Sequence, residues 1–247
     1  MPFSPIARIY RFVRGDGSLT LCVAILALFI FALYPMIEVG AISPWWLDIA
    51  FGLFMVVGAT FLFEPRAIVK LFIALLVVTV LVRITEYAVP SRAIATIDAT
   101  LVMVTCVALG ALFIARVTRD GRINIHRIVG ACGTFLLLGL VFSQAYKLIG
   151  LYVPHAFAIL GKPVEPGDMD YRHIYYSFIT LTSTGYGDIT PLHPYTRSLA
   201  IFEAIMGQLY LAVLIARLVG LEMEWREAQR DERREHREAS GGGKPPG

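Results

Sequence analysis

Apolar residues run along this chain in long unbroken blocks, not in the alternation of a half-buried strand or the narrow stripe of a surface helix. The blocks fall at about 19–36, 46–63, 67–83, 93–115, 124–150 and 195–221. Each is near the length a helix needs to cross a hydrocarbon core of about 30 Å at 1.5 Å per residue. Because the bilayer core offers backbone amides no water, each block is expected to be helical. Four blocks precede a short polar break and two follow it. The last two are separated by Gly161, Pro163, Pro166 and Gly167, which predict an irregular loop. The expected fold class is therefore an all-α membrane protein. An N-terminal segment 1–18 leads to a four-helix peripheral bundle, 19–115, and a linker, 116–123. A two-helix module, 124–221, and a charged segment, 222–247, complete the chain.

Composition agrees and adds an orientation. The chain is 57% hydrophobic with a mean hydropathy of +0.66. Arg8, Arg11 and Arg14 precede the first block as they would in a signal peptide, but no small-residue cleavage site follows, so the block is read as a retained span. Arg66, Lys70, Arg116, Arg119, Arg122, Arg127 and the C-terminal arginines fall on the same side as those three. The positive-inside rule then makes both termini cytoplasmic in a multi-pass protein of the plasma (bacterial inner) membrane, and sets Trp45 and Trp46 at the opposite interface. The net charge of +3 and pI near 8.8 are accounted for by these loops, so the lipid bilayer and not nucleic acid is the expected partner. Cys22, Cys106 and Cys132 lie in apolar blocks and are read as buried free thiols.

Between the last two blocks stands Thr180-Leu-Thr-Ser-Thr-Gly-Tyr-Gly-Asp188. Gly185 and Gly187 open backbone angles closed to other residues, so successive carbonyls can turn toward one axis. One chain supplies one wall. Four copies would stack carbonyl rings from Ser183, Thr184, Gly185, Tyr186 and Gly187, with the Ser183 hydroxyl as the innermost ring, and replace the water shell of a potassium ion.

This stretch resembles the signature of the potassium channel family, T-x-x-T-x-G-Y-G-D, over roughly residues 124–221. Ser183 stands where the family usually has threonine, and Thr184 where it usually has valine. The resemblance implies a homotetramer with a re-entrant pore helix from Tyr171 to about Thr182, capped by Asp170, and a filter with K+ at Ser183, Thr184, Gly185 and Tyr186. It implies support for that filter from Thr180, Thr182 and Asp188. Where the family has a pair of tryptophans this chain has Tyr175 and Tyr176, one of which is expected to hydrogen-bond Asp188. Gly207 is the expected hinge of the inner helix, with Leu211, Ile215 and Val219 at four-residue steps as an apolar constriction.

Two ionisable residues fall at membrane depth. Glu203 is expected either to hydrogen-bond Thr180 or Thr182 behind the filter or to face the cavity. Asp98 is the only ionisable residue between Ala93 and Ala115. It is expected to pair with Arg83 or lie among headgroups, with a part in sensing or subunit packing as the alternative. A fourth span without repeating arginines cannot collect the roughly 2.3 kcal/mol per charge per 100 mV that drives voltage gating. Glu165, Asp168, Asp170 and Asp188 make the outer mouth acidic, while His173 and His193 are read as solvated.

The charged segment after Leu221 is expected to be a separate short helix ending in a flexible Gly- and Pro-rich tail. No phosphate loop, metal cluster, nucleophile and base, or soluble ligand domain is legible, so no enzyme and no cofactor is expected beyond K+ as permeant ion. The expected function is passive potassium conduction without strong voltage gating. A voltage-dependent or weakly selective cation channel is the alternative, and a non-channel membrane protein the second.

Overall fold

The computed structural model describes residues 17–43, 45–62, 66–117, 125–169 and 171–241. Arg8, Arg11, Arg14, Arg119, Arg122, Asp170 and the tail 242–247 lie outside them. Helix α1, Gly17–Leu28, runs through a π turn at Phe29–Leu33 into α2, Tyr34–Glu38. Pro35 lacks the amide that would close the ladder there, and the π turn sits immediately before it. Then come α3, Trp45–Leu62, α4, Arg66–Ala88, α5, Arg92–Val117, and α6, Ile125–Tyr152. A short helix α7, Arg172–Leu181, and a 48-residue helix α8, Pro194–Gly241, follow.

Among the described residues, five helical stretches are long and apolar enough to cross a membrane: Leu19–Glu38, Lys70–Ala88, Arg92–Val117, Ile125–Tyr152 and Pro194–Arg217. Helix α3 occupies the second apolar block with 18 residues. The protein is a multi-pass, mostly helical membrane protein. In space α1, α3, α4 and α5 follow one another, and α6 packs on both α5 and α1. That double contact explains Gly133 on α6: a methyl there would lie 2.4 Å from Val23 of α1 and 2.9 Å from Phe113 of α5. The main apolar core fills this junction, with Leu19, Leu26, Phe54, Leu109, Phe113 and Leu137 almost wholly buried.

Three expectations need correction. The loop between α6 and α7 is not wholly irregular, since it holds strands β1, Phe157–Ile159, and β2, Lys162–Pro163. A third strand, β3, Ile189–Pro191, lies beyond α7, and the antiparallel sheet has the order β2-β1-β3. Leu160 and Gly161 join β1 to β2 with φ of 49° and 79°, the two positive angles of a tight hairpin whose twist suits the strands. Second, the charged segment is no separate helix, because α8 runs without a break from Pro194 to Gly241. At 1.5 Å per residue it is about 72 Å long, more than twice the hydrocarbon thickness. Third, Cys132 is exposed, whereas Cys22 and Cys106 are buried as expected.

Candidate functional site

The site is built around the end of α7. The residue before this helix, Tyr171, supplies no side-chain cap, and Asp170 lies outside the described residues. The last turn is secured by threonines. Thr180 Oγ1 donates to Tyr176 O at 2.8 Å and Thr182 Oγ1 to Phe178 O at 2.7 Å. Each hydroxyl is thereby satisfied by the turn before it, beside the amide that Phe178 O also accepts from Thr182.

Past Thr182 the chain folds back, and the amides of Thr184 and Gly185 both donate to Ile179 O, at 2.8 and 3.1 Å. Positive φ then recurs at every second residue: Ser183 at 57°, Gly185 at 52° and Gly187 at 83°. Alternating backbone hand is the pattern that aligns successive peptide groups along one edge of a ribbon. Two of the three positions are glycine, where that hand is free. Ser183 is not, and a left-handed angle there costs roughly 1–2 kcal/mol. Part of that cost is offset by Gln208 of α8, whose Nε2 donates to Ser183 Oγ at 3.0 Å. Residues 182–187 are all exposed in the single chain, and the Tyr186 side chain is 73% exposed. Thr184 Oγ1 stands 2.9 Å from Thr182 Oγ1.

The far end of the ribbon is held by the sheet. The Leu160 amide donates to Asp188 O at 2.8 Å, and β3 pairs with β1 in the register Ile159↔Ile189 and Phe157↔Pro191. Tyr175 reaches the Asp188 carboxylate as a hydrogen-bond partner, which is the brace expected from sequence. Asp188 Oδ1 is buried and has no partner among the described residues. Tyr176 does something else: it is buried edge-to-face with Tyr146 at 4.8 Å and with Phe157 at 5.2 Å. Each such ring pair is worth about 0.5–1.5 kcal/mol beyond its burial, so the cluster ties α6, β1 and α7 together.

Glu203 reaches neither threonine and does not face open space. Its carboxyl is fully buried between helices, with Oε2 accepting from the Tyr146 hydroxyl at 2.6 Å and Oε1 2.5 Å from Ser177 Oγ. Both partners were missed from sequence. A serine in the middle of a short amphipathic helix and a tyrosine in an apolar span were the available signals. His173, expected in solvent, is buried in α7.

Gly207 is buried against α7: a methyl there would lie 2.1 Å from the Leu181 carbonyl oxygen. Helix α8 is continuous through this point. Leu211, Ile215 and Val219 are 39%, 61% and 54% exposed, so one face of α8 is apolar and uncovered in the single chain. Away from the ribbon, Asp98 is fully buried and bridges Arg83 Nε and, at 3.0 Å, Lys147 Nζ of α6. The expected Arg83 pair is present, Lys147 is an addition, and exposure among headgroups is excluded.

Residues 134–223 match a family model described as an ion channel. The match takes in α6 from Thr134 onward, the sheet, α7, the ribbon and α8 as far as Met223, while the four-helix bundle lies outside it. No curated protein and no solved structure gives a match. The chain is therefore a multi-pass membrane protein whose residues 134–223 are similar to an ion-channel family.

Proposed function

We propose that the protein is a homotetrameric, potassium-selective channel whose filter is the ribbon Ser183–Gly187. The observation that carries this reading is the alternation of backbone hand at Ser183, Gly185 and Gly187 on a ribbon left uncovered by its own chain. Four such ribbons about one axis supply stacked carbonyl rings that substitute for the hydration shell of K+. Helix α7 ends beneath them, and the negative end of its dipole favours a cation waiting below the rings. The uncovered apolar face of α8, and the burial of only 11% of its membrane-crossing window, suit a helix whose neighbours are other copies of itself and lipid.

Dehydration is the chemical step, and no covalent bond changes. Asp188, braced by Tyr175, closes the outer end, and the acidic loop residues raise the local cation concentration there. The termini are cytoplasmic and the ribbon opens outward. Gating lies in α8 below Gly207, where Leu211, Ile215 and Val219 form a dewetting constriction. Voltage has little hold on it, because the one ionisable side chain in the interior of α5 is already bound by two cations.

Potassium flux into liposomes holding the purified protein, with sodium as the comparison ion, tests the reading. Flux for K+ far above Na+ is expected. Equal flux would leave a weakly selective cation channel, and no flux a non-channel protein.

A further inference from the structure

The contacts around Glu203 can be counted in protons. Ser177 Oγ stands 2.7 Å from Gly139 O of α6 and 2.5 Å from Glu203 Oε1 of α8. Tyr146 O–H donates to Glu203 Oε2 at 2.6 Å. Three oxygen pairs at such separations need three protons, since unprotonated oxygens that close repel. Tyr146 supplies one. Ser177 has one, and the Gly139 carbonyl has none. Two pairs therefore share the single Ser177 proton unless the carboxyl brings its own.

We infer that Glu203 is held as a neutral carboxylic acid, donating from Oε1 to Ser177 Oγ, so that Ser177 is free to donate to Gly139 O. The relay then runs from α8 through α7 to α6 with every oxygen satisfied. The surroundings agree. Tyr146, Glu203 and Ser177 are all 0% exposed. The groups facing the carboxyl are Tyr146 from α6 and Ser177 and Tyr176 from α7, and no basic side chain among the described residues stands against it. A bare carboxylate without a cation in such a place is costly.

The proton has a mechanical consequence. With Glu203 neutral, α7 is tied to both α6 and α8. If the proton leaves, the carboxylate claims the Ser177 proton and Gly139 O loses its donor from α7, so α7 keeps its bond to α8 and gives up this one to α6. Because Ile179 O on α7 receives the amides of Thr184 and Gly185, an α7 held by one bond fewer loosens the base of the ribbon. Glu203 is thus a positioning residue that renders the ribbon sensitive to alkali. The effect on conduction rests on the channel reading, but the protonation state does not.

The test uses the full-length protein in lipid, by infrared spectroscopy, thermal unfolding and potassium flux, with Glu203→Gln, Glu203→Ala and Ser177→Ala. A glutamine amide donates to Ser177 and accepts from Tyr146 as a neutral acid would. The expected result is a protonated-carboxyl carbonyl band in the wild type at neutral pH that vanishes in Glu203→Gln. That variant should unfold within about 2 °C of the wild type, against losses above about 4 °C for both alanine variants. Its flux should persist at alkaline pH where wild-type flux falls. Absence of the band, or Glu203→Gln unfolding as early as Glu203→Ala, would overturn the proposal. The band and the stability pattern without flux in any variant would support the neutral acid and count against the channel.

Discussion

The α-carbon of Gly207 meets the carbonyl of Leu181 so closely that a methyl group on it would lie 2.1 Å from the oxygen. A glycine at this depth was expected to be a hinge, but its contact shows a more immediate duty: α8 and the end of α7 approach backbone to backbone. The first prediction follows. Gly207→Ala forces α8 away from the base of the ribbon, with destabilisation of about 1–3 kcal/mol as for other overpacked interiors. Thermal unfolding should fall by several degrees and potassium flux should be lost together with it. A variant of unaltered stability whose open probability alone shifts would restore the hinge.

The second prediction concerns Asp98, a fully buried carboxylate between Arg83 and Lys147. Asp98→Asn removes the charge that Arg83 and Lys147, each about one-fifth exposed, share. Breaking a wholly buried pair costs about 3–5 kcal/mol, and the partial exposure of the cations places this one toward the lower figure. Adding Lys147→Met should recover part of the loss in thermal unfolding. Equal stability of Asp98→Asn and the wild type would show that the triad holds nothing together, and a role for Asp98 in sensing would then regain ground.

How much of this was legible beforehand differs by scale. The apolar blocks placed the continuous stretch from α1 through α2, and α3, α4, α5 and α6, within about five residues, because membrane helices satisfy their own backbone and announce themselves by composition alone. The ribbon was legible because glycine at 185 and 187 has a backbone meaning. What stayed hidden depended on distance along the chain. Lys147 lies 49 residues from Asp98, and Tyr146 lies 57 from Glu203. The strands were hidden for another reason: they are two or three residues long, Pro163 lies within one of them, and Gly161, Pro166 and Gly167 mark the turns around them more strongly than the strands themselves.

The third prediction isolates the Tyr175 brace. Tyr175→Phe keeps the ring and removes the hydroxyl that reaches Asp188, leaving a second carboxylate oxygen short of a partner beside the buried Oδ1. A lost bond to a charged group is worth about 1.5–3 kcal/mol. The outer end of the ribbon should loosen, with a lower K+ over Na+ flux ratio and earlier loss of conduction during sustained flux. Tyr176→Phe serves as the comparison, since it removes a hydroxyl that faces Thr180 and not Asp188, and should change the ion ratio less. If the two variants alter the ratio alike, the Asp188 contact is not what sets it.

The last prediction turns on Gln208, which sequence reasoning passed over although it is a polar residue next to Gly207 in an apolar span. Serine lacks the methyl that restricts threonine, and on that ground alone Ser183→Thr should firm up the innermost ring and tighten cytoplasmic barium block. The structure changes the expectation in two ways. Gln208 already fixes the hydroxyl, and the φ of 57° at Ser183 is a poor angle for a β-branched residue. Ser183→Thr should therefore alter block by less than about twofold, below the effect of one hydrogen bond. Gln208→Leu should weaken block by about fivefold, the equivalent of roughly 1 kcal/mol for a neutral bond. Ser183→Ala should weaken it further, because the ligand itself is gone. The double variant Ser183→Ala with Gln208→Leu should match Ser183→Ala alone, since the tether has nothing left to hold. Additive losses would place Gln208 elsewhere in the conduction path, and undiminished block in Ser183→Ala would remove the hydroxyl from the ring altogether.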